Sequence, residues 1–90
     1  MMKMNELPNI GSELAKRLES AGFGTVESLK EAGSRQVFQA LNAMDPSVCI
    51  NTLYALEGAV RNIRWHSLSL EDKRDLNEFF KLVKSSTRVR

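Results

Sequence analysis

Few residues of this ninety-residue chain have side chains suited to covalent or acid–base chemistry: there is a single cysteine, Cys49, and a single histidine, His66. One cysteine excludes an internal disulfide and any cysteine-based zinc site, and one histidine removes the usual remaining ligands. Cys49 falls on the apolar stripe of a helical pattern, where a thiol acts as a small filler and burial raises its pKa, away from a reactive thiolate. His66 has no partner of the kind acid–base work requires and is assigned no role. The carboxylates Glu71, Asp72, Asp75 and Glu78 lie among Lys73 and Arg74 and read as a solvated face. No GxSxG, Walker loop or HExxH occurs, and no carboxylate pair is brought together by the helical phases. The expectation is a non-enzymatic protein with no catalytic residue, metal or cofactor.

What remains is recognition chemistry. The segment Leu7-Pro8-Asn9-Ile10-Gly11-Ser12-Glu13-Leu14-Ala15 has the cadence of a helix-hairpin-helix turn, in which backbone N–H groups at a helix N-terminus face a nucleic-acid phosphate. Two positions depart from that pattern. Asn9 stands where the first glycine is usual, although asparagine tolerates positive φ, and Glu13 stands where a phosphate-facing lysine is common. Lys16 and Arg17 follow one turn later. Residues 1–45 carry five basic side chains against six acidic, whereas residues 46–90 carry eight against five, and Lys81, Lys84, Arg88 and Arg90 follow Glu78 without an acidic interruption. Gly11, Lys16, Arg17, Arg88 and Arg90 are therefore the candidate nucleic-acid contacts. The competing readings are a turn kept for packing and a tail of cations favoured by a helix dipole. Trp65 is the candidate partner contact, since tryptophan is enriched at interface hot spots, or else it closes the local core.

The elements that must position these groups are helices. The chain is 42% apolar and 27% charged, enough for one small core. No run approaches the ~18 apolar residues of a membrane span, and the N-terminus lacks a secretory signal, so a cytoplasmic, non-membrane protein is expected. Leu14, Ala15, Leu18 and Ala21 predict a first helix capped at Ser12 and ended by Gly22; Thr25 caps a second that stops at Gly33. Ser34 opens a third with Val37, Phe38, Leu41 and Met44 inward, and Asp45-Pro46 leads into a central helix lined by Cys49, Leu53, Leu56, Val60 and Ile63. Gly58 inside it costs roughly 1 kcal/mol relative to alanine, which predicts a close crossing by another helix. Ser69 with Asp72 caps the last helix, which buries Leu76, Phe79, Phe80 and Val83. The expectation is an all-α compact bundle of about five helices, helix-hairpin-helix-related, forming one domain over residues 1–85 with a frayed basic tail at 86–90.

These residues also carry a family likeness. Leu7-Pro8-Asn9-Ile10-Gly11, Ala21-Gly22-Phe23 with Thr25 and Leu29, Ala32-Gly33-Ser34, Leu53-Tyr54-Ala55-Leu56-Glu57-Gly58-Ala59 and Trp65 occur in an order and at intervals that resemble the C-terminal domain of the TfoX/Sxy family, regulators of natural DNA-uptake competence in bacteria. The resemblance implies an all-helical module acting in transcriptional control, with a transcription activator (in some members one that responds to cyclic AMP) or another regulatory protein as partner. Longer members join it to a separate N-terminal domain, so the chain is expected to be a stand-alone relative or an excised piece. Asn9, a departure from the DNA-repair hairpin, is ordinary for this family. The alternative expectation is a direct, weakly sequence-selective binder of duplex DNA.

Overall fold

Several helix ends fall where the chain supplies the group that a helix end lacks. The structure, a computed structural model, describes residues 3–87, and its regular elements there are a 3-10 turn at Met4–Glu6, α1 (Ser12–Ser20), α2 (Val26–Met44), α3 (Ile50–Arg61), a second 3-10 turn at Trp65–Ser67, and α4 (Leu70–Thr87). No strand occurs among the described residues. The fold is all-α, as expected. Gly11, rather than Ser12, is the N-cap of α1. Its other end closes on Gly22, at φ 94°, where the Phe23 amide donates to the Leu18 carbonyl (2.8 Å) and the Gly22 amide to that of Glu19 (3.1 Å). That pairing satisfies two of the last carbonyls of the helix. Asn62, at φ 64°, does the same for α3, with Ile63 bonded back to Gly58.

Thr25 caps α2 reciprocally with Ser28, each side-chain oxygen accepting from the other residue's amide. The sequence predicts two helices across Gly33; the structure has one element, sharply bent there because Gly33 adopts φ 85°, ψ 161°. Among the described residues the count is therefore four helices, with α2 made of two helical segments that meet at Gly33. Asp45 ends α2 and does not start α3. Its carboxylate accepts from the Ser47 amide (3.1 Å) and hydroxyl (2.6 Å), making a tight turn through Pro46. Met44, expected inside, is 55% exposed, because the chain turns at Asp45 and the buried Val48 fills that end of the core instead.

The core joins Leu7, Ile10, Leu18, Leu29, Val37, Phe38, Leu41, Leu53, Leu56, Ala59 and Leu76, with Phe38 fully enclosed and its ring 5.8 Å from that of Phe80. α3 packs chiefly against α2 and also against α4. The radius of gyration, 12.4 Å, matches the ~12 Å of a single globule of this length. α4 starts at the expected cap, where the Asp72 amide donates to Ser69 Oγ at 3.0 Å, and it continues past Ser85 to Thr87. Among the described residues, no helix is long and apolar enough to cross a membrane.

Candidate interaction surface at the hairpin and the Trp65 corner

The hairpin is anchored by Asn9. Its backbone sits at φ 71°, the left-handed region that asparagine tolerates. From there its carboxamide reaches residues far along the chain. Nδ2 donates to the carbonyls of Ile63 (3.0 Å) and Ala55 (3.4 Å), and Oδ1 accepts from the Trp65 amide (3.1 Å). One side chain thus ties the N-terminal turn to both the body and the exit of α3. Gly58 makes the approach possible: a Cβ there would run into Asn9 Nδ2, lie 2.8 Å from the Ile63 carbonyl oxygen and 3.1 Å from the Trp65 nitrogen. The close crossing expected at Gly58 is real, but the neighbours are the hairpin and the chain leaving α3, not another helix.

Of the predicted nucleic-acid contacts, Gly11 is exposed, with open space where a Cβ would be. Lys16 is exposed and has no ion pair among the described residues. Arg17 pairs with Asp45 at 3.5 Å, and Glu13 lies between these cations and the hairpin. The cations of α4 are also engaged. Lys84 Nζ donates to Asn42 Oδ1 (2.7 Å) and to the Pro46 carbonyl (2.6 Å), tying α4 to the end of α2, and Lys81 lies 3.9 Å from Glu78. Arg88 and Arg90 lie outside the described residues. The structure thus places Lys16 and Arg17 with Ser12 and Glu13 around one shallow surface, and brings Arg17 and Lys84 of α4 to the neighbourhood of Asp45.

Trp65 is half-buried against the core. Its indole stacks on Tyr54 (5.9 Å, 15°) and on His66 (4.1 Å, 28°), and Lys73 Nζ lies 5.3 Å from the ring centre. Beside this stack is an open groove of about 370 Å³ lined by Asn9, Leu14, Asn51, Thr52, Ala55, Arg64, Trp65 and His66. Sequence reasoning singled out Trp65 but missed Tyr54, Arg64 and Lys73. Trp65 lies beyond the left-handed Asn62 that ends α3, so no helical spacing connects it to Tyr54 and the sequence offered no signal for the stack.

The other side of α3 is a polar network. Arg61 Nε donates to Glu57 (2.6 Å) and Nη1 to Asp72 (2.9 Å), while the buried Ser34 hydroxyl donates to Glu57 Oε1. Hydrogen bonds from Arg61 and then Ser69 hold the Asp72 carboxyl below its ordinary value, and those that Arg61 donates to Asp72 and Glu57 raise the pKa of its guanidinium. Asp45 is likewise lowered, first by the Ser47 hydroxyl and then by its amide.

Cys49 is a correction to the sequence reading. It is exposed and is the N-cap of α3, not an inward residue of it. Partial burial pushes its thiol upward, but hydrogen bonding from the amides of Thr52 and Asn51 outweighs this, and the net shift is downward. Among the described residues, no group of three or more histidine, cysteine or acidic side chains is placed to hold a metal ion.

Comparison with known proteins agrees with this architecture. The family model of the TfoX C-terminal domain matches residues 1–80. An uncharacterized protein from Listeria monocytogenes, solved in a triclinic crystal form, is 43% identical with a TM-score of 0.90, covering 92% of this chain and 94% of its own. A protein of unknown function from the same organism, in a tetragonal form, is 45% identical with a TM-score of 0.87, covering 89% and 99% respectively. No curated protein matches the chain. A family match across nearly the whole domain, joined to close structural likeness at this identity, places the chain in the TfoX C-terminal domain family.

Proposed function

We propose that the chain is a non-enzymatic regulatory module acting in the cytoplasm on the transcription of DNA-uptake genes, by binding a transcription activator or another regulatory protein. The family match over residues 1–80 carries this reading. The geometry supports recognition through a protein rather than through the hairpin. Asn9 is turned inward to Ala55, Ile63 and Trp65, Glu13 repels phosphate at the α1 N-terminus, and Arg17 is paired with Asp45. Of the two side chains closest to catalytic chemistry, Cys49 stands exposed at the N-cap position of α3 and His66 stacks on Trp65. Deleting the chain in its native host tests the proposal. Transcript levels of DNA-uptake genes should change and be restored by the intact chain, and unchanged levels would contradict it.

Direct binding to duplex DNA is the second reading, favoured by the open Gly11 corner and by Lys16, which has no ion pair among the described residues. Six cations, Lys16, Arg17, Lys81, Lys84, Arg88 and Arg90, would give a slope of log affinity against log salt of about −5. Arg17, Lys81 and Lys84 have partners within the chain, so contact through the other three predicts a slope of only about −3. Anisotropy of a labelled duplex across a salt series separates these cases, and a flat response eliminates direct binding.

A further inference from the structure

We infer that the groove between Leu14 and Trp65 is the docking surface for an acidic protein segment that carries one apolar anchor side chain. This rests on the reading of the chain as a protein-binding module and names the surface and the chemistry of the partner. Leu14, Ala55 and Trp65 give the groove an apolar part, and about 370 Å³ accommodates one large side chain. Asn51 and Thr52 lie along the wall with hydrogen-bonding groups suited to a peptide backbone.

Two cations flank the groove on the Trp65 side. Arg64 lines it and has no ion pair among the described residues, and Lys73 stands over the indole, whereas Arg17, past Thr52, is paired with Asp45. Glu13 is the carboxylate at that margin. Two acids of α3 and α4 are held elsewhere: Glu57 and Asp72 are bound to Arg61, and Glu57 also to Ser34. Glu57 is two residues from Ala55, about 200° around the helix, and so belongs to the face away from the groove. A surface of this kind attracts a negative segment and leaves a positive one unpaired.

Nucleic acid is disfavoured at this corner by the stack itself. A nucleobase needs a free aromatic face. Tyr54, His66 and Lys73 already lie against the indole, so a base would have to displace one of them. Trp65 is braced by these contacts and lines the groove together with Leu14, where one side chain can enter.

Trp65 is the sole tryptophan of the chain, so its emission reports on this groove directly. The probe is a short acetylated peptide of aspartate and glutamate around a single leucine, titrated into the intact protein. The controls are the same peptide with serine for leucine, one with lysine for each acid, and a duplex DNA oligonucleotide. A saturable emission change is expected with the acidic leucine peptide alone. Arg64→Glu, an exposed substitution whose folding is checked by circular dichroism, should weaken that binding by about tenfold. The inference is overturned if the peptide leaves the emission unmoved, if Arg64→Glu binds it equally well, or if the duplex produces the response and Arg64→Glu removes it. The host experiment keeps the two levels apart. Transcripts that respond to deletion but are fully restored by Arg64→Glu refute the groove while sparing the regulatory role, whereas transcripts that ignore deletion refute the regulatory role whatever the peptide does.

Discussion

Asn9 performs two tasks that usually fall to different residues. Its backbone takes the left-handed turn and its carboxamide closes three contacts across the molecule. The two can be separated by substitution. Asn9→Gly keeps the turn and removes the hydrogen bonds, and should cost about 1–3 kcal/mol in urea unfolding. Asn9→Ala removes both and should cost at least about 1 kcal/mol more, from the strain of an alanine at positive φ. Equal stabilities for the two variants would mean that the backbone conformation contributes nothing. Asp72 supplies a second test at this scale. Its carboxyl is lowered in the fold by Arg61 and Ser69, so the stability it contributes is present above the ordinary carboxylate value of 3.8 and is lost as pH falls through the lower folded value. Asp72→Asn should therefore flatten the acid side of the stability profile and lower stability near neutrality. A variant whose acid transition tracks the parent would contradict that assignment.

At the level of the helices, much was legible from local chemistry. Periodicity located the buried Leu53 and Leu56, Thr25 and Ser69 marked starts, and Gly22 marked a stop, because caps and apolar stripes are encoded within a few residues. Gly33 was read as a stop, and a left-handed glycine does break the helix there, although α2 continues through it as one bent element. Gly33→Ala should cost about 1–2 kcal/mol in chemical denaturation, in contrast to the gain alanine brings inside a regular helix. A stabilised variant would show that the bend is not held by the glycine. What local pattern misreads is the start of α3. Val48, Cys49 and Ile50 form an apolar run that extends the helical phase backwards, while the Asp45–Ser47 turn delays the helix to Ile50 and leaves Cys49 as an exposed cap. The partners of Asn9, the neighbours of Gly58 and the Tyr54–Trp65 stack were out of reach for a related reason. Each joins elements whose relative placement is decided by packing of the whole core, so neighbouring sequence holds no record of it.

For the molecule as a whole, the arrangement divides labour between two sides of α3. One side is tied by Ser34, Glu57, Arg61 and Asp72 into α2 and α4; the other, with the hairpin and the Trp65 corner, frames the groove. The turn before α1 is fastened to α3 by the Asn9 carboxamide, and the groove proposed for the partner lies beside it. The most direct test is a ¹⁵N-resolved titration of the intact protein with duplex DNA at low salt, following the amides of Gly11, Ser12 and Glu13 at the start of α1. The account predicts no selective, saturable shift at these three amides. Saturable shifts concentrated on Gly11–Glu13, and absent in a Lys16→Glu variant, would show that the hairpin grips phosphate and would contradict it.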